Sequence, residues 1–78
     1  MASEDQIKEA FVKGDGDNDD GLSLSEASEA LEKLSGKLVD ESTIKAAAES
    51  VGVDANSHEM DVNEFRSVVK KLEEDGKL

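Results

Sequence analysis

Apolar residues recur at helical spacing in four stretches of the chain: Ile7, Ala10 and Phe11; Ala27, Ala30, Leu31 and Leu34; Ile44, Ala47, Ala48 and Val51; and Phe65, Val68, Val69 and Leu72. Each set falls at i, i+3 and i+4, and most reach i+7, so each forms one apolar stripe on a helix whose remaining surface is polar. The pattern predicts four amphipathic helices and an all-α fold. Start signals sit where such helices would begin. Ser3 with Gln6, Ser23 with Glu26 and Asp61 with Glu64 each have the capping-box arrangement, in which two side chains satisfy two of the amides a helix leaves unpaired at its start. Asp40 is the expected cap of the third helix. Ser35-Gly36 reads as the stop of the second, because glycine enters the left-handed conformation that ends a helix without a Cβ penalty.

The order helix, loop, helix occurs twice. SLSEA (Ser23 to Ala27) matches DVNEF (Asp61 to Phe65) in position, which makes Glu26 and Glu64 equivalent. One half alone would expose its apolar stripes, so the two halves are expected to pack face to face as a single domain over residues 1–78. The first half runs from about residue 3 to 35 and the second from about 40 to 74.

The first connecting loop, DGDNDDGLSLSE from Asp15 to Glu26, carries oxygen-bearing side chains at Asp15, Asp17, Asp19, Ser23 and Glu26. These are positions 1, 3, 5, 9 and 12 of a twelve-residue loop that coils round a hard cation, for which Ca²⁺ takes six to eight oxygens at about 2.3 to 2.6 Å. A solvated acidic loop would also be rich in Asp, Asn and Gly. The apolar Leu22 at position 8, the closing carboxylate of Glu26 and the helical patterns on both sides set this loop apart from one.

With IKEAF (Ile7 to Phe11) as the entering helix, the chain resembles the EF-hand calcium-binding family, and its length resembles pollen two-hand proteins and single lobes of four-hand proteins. The resemblance implies a pair of EF-hands whose loops form a short antiparallel β bridge at position 8, joining Leu22 to Met60. It implies one Ca²⁺ held by Asp15, Asp17, Asp19, the Gly21 carbonyl, a water on Ser23 and both oxygens of Glu26. The loop departs from the family at position 6, where Asp20 replaces the turn glycine and Gly21 comes one step late. Aspartate tolerates the left-handed region better than most residues, so the expected turn is strained.

The second loop is different. With Glu64 at position 12, positions 1, 3 and 5 of the loop 53–64 are Val53, Ala55 and Ser57. Starting at Asp54 recovers Asp54, Asn56 and His58, but the loop is then one residue short and still lacks the turn glycine. Loss of anionic ligands from a hard-cation site lowers affinity steeply, so this loop is expected to bind no calcium at ordinary concentrations. His58, with no cysteine and no second histidine beside it, makes no transition-metal cage. Glu64 reads as a helix cap. The family's second phenylalanine, just before position 1, is Gly14 here, and the counterpart of Phe11 in the third helix is Ala48. Less apolar area is buried as a result, and a loosely packed ion-free state is expected.

Composition refines this picture. With 78 residues the core is small and gains from a bound ion. The absence of cysteine excludes disulfides and thiolate sites. The polar start MASEDQ and the lack of a long apolar run argue against a signal peptide or a membrane span, so a soluble, cytoplasmic setting is expected. A net charge of −11 disfavours nucleic acid and anionic membranes and favours cations or basic partners. No nucleophile–base pattern or phosphate-binding glycine loop suggests an enzyme. Two functions fit: a calcium sensor or regulatory module that opens toward a basic amphipathic helix, and a calcium buffer or calcium-stabilised structural domain that binds no target. With Met1 and Met60 as its methionines, the chain lacks the flexible thioether lining of a promiscuous groove. A narrow aliphatic groove from Leu31, Leu34, Val68, Val69 and Leu72 is the alternative. Self-association is compatible with either function.

Overall fold

The computed structural model describes residues 2–15, 21–55 and 58–78. Four helices follow one another as α1 (Glu4–Gly14), α2 (Leu24–Ser35), α3 (Glu41–Ser50) and α4 (Val62–Glu74), and no strand occurs among the described residues. Three helices start in complete capping boxes. Gln6 N–H donates to Ser3 Oγ at 3.2 Å while Ser3 N–H donates to Gln6 Oε1 at 2.9 Å, and the same exchange joins Ser23 to Glu26 and Asp61 to Glu64. Each box satisfies two amides that helix geometry leaves without intrahelical partners. Asp40 holds the N-cap position of α3 in extended conformation, but its side chain makes no cap hydrogen bond, contrary to expectation.

Helix ends explain where the stripes stop. Gly36 ends α2 with φ 75°, as its sequence suggests. At the end of α3, Gly52 (φ 78°) turns the chain left-handed, Gly52 N–H donates to Glu49 O at 3.2 Å and Val53 N–H donates to Ala48 O at 2.8 Å. This is the double bond pattern of a Schellman stop, and it satisfies carbonyls the helix would leave open. Val51 lies beyond the last helical residue as a consequence. It is an exposed residue rather than the fourth member of the α3 stripe.

α1 packs on α2 and α4, and α3 packs on the same two helices. Ile7, Ala10 and Phe11 of α1, Ala27, Ala30 and Leu31 of α2, Ile44, Ala47 and Ala48 of α3, and Phe65, Val68, Val69 and Leu72 of α4 turn inward together. Phe11 and Phe65 join the two halves, with ring centroids 6.1 Å apart and planes inclined at 49°. Between the halves, Leu22 N–H donates to Met60 O and Met60 N–H to Leu22 O, each at 2.8 Å, in an isolated antiparallel bridge. Both side chains are fully buried, so the bridge is covered by the core it helps to close.

Gly14 alters the expectation of loose packing at its position. It is buried in the last turn of α1, and a Cβ built on it would stand 2.9 Å from Ala30 Cβ, 3.3 Å from Glu26 O and 3.4 Å from Leu22 Cδ2. The space that a phenylalanine would fill is already taken by α2. The small side chains therefore bring two backbones close rather than leaving a void. On the outer face, Arg66 and Lys70 of α4 reach Glu4 of α1 at 2.8 and 3.8 Å, exposed pairs that contribute little to stability.

Candidate metal centre

α1 delivers Asp15 to the mouth of the first loop. As the residue that caps α1, Asp15 donates its backbone N–H to Phe11 O at 3.1 Å, and the residue is only 7% exposed. A carboxylate in that place lies at the negative end of the helix dipole, which disfavours it unless positive charge or donors are near. At the other end of the loop, Glu26 sits in the first turn of α2. Its N–H donates to Ser23 Oγ at 3.2 Å, and its Oε1 accepts from Ser23 N–H at 3.0 Å. The α1–α2 crossing at Gly14 holds the two ends together, since a Cβ there would meet the Glu26 carbonyl.

Gly21 has a role other than that of a displaced turn glycine. It is buried, and a Cβ on it would stand 2.8 Å from Glu59 Cβ and 3.4 Å from Glu59 Oε1. Glycine is required there because the second loop passes directly against its Cα.

Of the six residues expected to hold an ion, Asp15, Gly21, Ser23 and Glu26 lie in the described segments, while Asp17 and Asp19 lie outside the described residues, as does Asp20. Among the described residues no group of three or more His, Cys, Asp or Glu side chains is arranged to hold a metal. The donors that are described are all hard oxygens, a set suited to Ca²⁺ or Mg²⁺ rather than to zinc or copper. Ser23 Oγ accepts one hydrogen bond and keeps an O–H and a lone pair for a water. Glu26 has one oxygen committed to the Ser23 amide, so two-oxygen ligation requires it to share or leave that cap.

The second loop starts differently. Val53 occupies the position equivalent to Asp15 and is buried to the same degree, at 8% exposure, but it presents an isopropyl group to the core. The equivalents Gly14 and Gly52 also differ, since the first continues α1 in helical conformation and the second turns left-handed. Ala55 is half-buried; Asn56 and Ser57 lie outside the described residues. Glu64 is the closing carboxylate of a helix cap, with Oε1 accepting from Asp61 N–H at 3.0 Å.

His58 is exposed, with Nδ1 2.8 Å from Glu59 O and Nε2 3.7 Å from Glu64 Oε2. Its pKa is raised above the ordinary histidine value, first by the hydrogen bond to the Glu59 carbonyl and then by the negative charge of Glu64, with smaller contributions from Asp54 and Asp61. No helix among the described residues is long and apolar enough to cross a membrane. No protein-family model, curated protein or solved structure matches the chain.

Proposed function

We propose that the chain is a pair of EF-hands that binds one Ca²⁺ in its first loop and uses its second loop as a scaffold. The observation that carries this reading is the contrast at position 1. The buried residue there is a carboxylate in one loop and a valine in the other, in two repeats whose second helices start in the same capping box and whose loops share a bridge. Asp15, Asp17, Asp19, Gly21, Ser23 and Glu26 are the proposed ligand residues. Bound Ca²⁺ would neutralise carboxylates that repel one another and would tie the end of α1 to the start of α2. Met60 holds Leu22 in place from the second loop, and so fixes the backbone between Gly21 and Ser23.

A site filled at about a hundred times its dissociation constant adds about 2.7 kcal/mol, a large share of the stability of a domain this small. Calorimetric titration with Ca²⁺ should give a stoichiometry near one per chain. Two equivalent strong sites, or no binding, would overturn the reading.

Two uses of the bound ion follow, a calcium sensor or regulatory module that opens toward a target helix and, as the alternative, a buffer or calcium-stabilised module, and both hold the surface for such a helix closed when no ion is bound. Leu31, Val68, Val69 and Leu72 are all buried, and Leu34 is half-buried. A sensor of this build would have to open α1 from α2 against the close contact at Gly14, exposing those side chains to a basic amphipathic helix. A hydrophobic dye whose fluorescence rises on adding Ca²⁺ supports the regulatory reading; an unchanged signal supports the module. A cytoplasmic setting belongs to both.

A further inference from the structure

We infer that Glu59 of the second loop is a charge-supplying residue of the first loop's cation site, and that residue 21 is glycine in order to admit it. The inference rests on the calcium reading above. Leu22 and Met60 exchange two backbone hydrogen bonds of 2.8 Å, which fixes the residues just before them, Gly21 and Glu59, in space. The Glu59 side chain then folds over Gly21. A Cβ on Gly21 would meet Glu59 Cβ at 2.8 Å, Oε1 at 3.4 Å and Cδ at 3.7 Å, so the Glu59 side chain fills the space that a side chain at position 7 would take. Any side chain at residue 21 would displace it. The glycine that the turn needs at position 6 stands instead at position 7, and the close approach of Glu59 is a physical reason for glycine there.

The chemistry follows from that placement. The residue-21 carbonyl is the proposed ligand at position 7, so a carboxylate packed beside residue 21 lies on the order of 7 Å from the ion, one coordination bond plus one peptide unit and a contact. At that distance, in surroundings near the dielectric of water, one negative charge acting on a divalent cation raises affinity by roughly three- to tenfold at low salt, and less as salt screens it. Glu59 belongs to the repeat that has lost its own ligands. The second hand thus contributes electrostatic attraction to the first as well as the mechanical support of the bridge.

Glu59→Gln keeps the shape and removes the charge. In calcium titrations of the full chain it should lower affinity by roughly three- to tenfold at low ionic strength, with the difference shrinking by at least half in concentrated salt. The melting temperature of the ion-free chain should stay the same or rise, since one carboxylate fewer faces an acidic loop. In a Gly21→Ala background, where the added Cβ already pushes Glu59 away, the same substitution should have a smaller effect. Equal affinities of wild type and Glu59→Gln at low salt, or a loss of affinity matched by lower ion-free stability, would overturn the inference. An undiminished effect in the Gly21→Ala background would overturn the pairing of the two residues. Absence of calcium binding by the wild-type chain would defeat the calcium reading itself, whereas wild-type binding that Glu59→Gln leaves unaltered would defeat this inference alone.

Discussion

Gly14→Ala sets two well-known effects against each other. In a helix, alanine in place of glycine ordinarily stabilises by about 0.5 to 1 kcal/mol, because glycine loses more backbone freedom on folding. Gly14 does not have a positive φ, so alanine can adopt its conformation. Sterics oppose the gain. The new methyl would stand 2.9 Å from Ala30 Cβ and 3.3 Å from the Glu26 carbonyl, and both belong to a helix rather than to the flexible end of a side chain. Relief requires α1 and α2 to separate, and overpacking of this kind costs about 1 to 3 kcal/mol. The net expectation is a loss of about 1 kcal/mol, equivalent to a fall of about 4 to 8 °C in melting temperature for a domain of this size. Thermal unfolding followed by far-ultraviolet circular dichroism in the absence of calcium measures it. Ala30→Gly removes the opposing methyl. In that background Gly14→Ala should change sign and stabilise, by up to the helix-propensity gain. Stabilisation by Gly14→Ala in the otherwise native chain would refute the claim that the α1–α2 crossing is at contact limit.

Three further outcomes are expected. Glu26→Gln should abolish or severely weaken calcium binding by calorimetry, while Glu64→Gln should leave it nearly unchanged, because only the first carboxylate closes a loop with anionic ligands; equal effects would remove the asymmetry between the hands. Met60→Asp, which puts a charge at a fully buried position, should weaken binding at the first loop although it removes no ligand, and unchanged affinity with the fold intact would show that the hands act independently. Because the pKa of His58 is raised in the folded chain, its contribution to stability is fully present below the unfolded histidine value of about 6.5 and is lost as pH rises through the folded value. Melting temperatures of wild type and His58→Gln should therefore converge as pH rises above about 6.5, and a difference that does not depend on pH would contradict the pairing with Glu59 and Glu64.

The four helices were legible because each has an apolar stripe and three have capping pairs, signals that depend on local chemistry alone. Asp40 and Val51 show the limits of such signals. An aspartate in the right register need not turn its carboxylate to the helix amides, and the α3 stripe overran the helix because the stop at Gly52 was not weighed against it. Gly52 carried the same residue-type signal as Gly36, so that boundary was within reach of the sequence. The closeness of α1 and α2 at Gly14 was not. A glycine in place of a large apolar residue reads as lost burial, and only the position of Ala30 across the interface turns it into close contact. Gly21 is similar, since its reason lies in Glu59, far along the chain and brought near only by the Leu22–Met60 bridge. The oxygen-bearing spacing of the first loop is a pattern of the sequence alone, and of its members the described residues Asp15, Gly21, Ser23 and Glu26 lie at one end of the α1–α2 pair.

The central claim is that one loop takes the ion and the other supports it. Heteronuclear NMR of the full chain during calcium titration tests it most directly, because each loop reports separately. The account predicts that amides from Asp15 to Glu26 change until one equivalent of calcium has been added and then stop, with Met60 and Glu59 shifting in step across the bridge while Val53 to Ala55 stay near their ion-free positions. Changes centred on residues 53–64 that continue through a second equivalent, or a spectrum that calcium leaves unaltered, would contradict it.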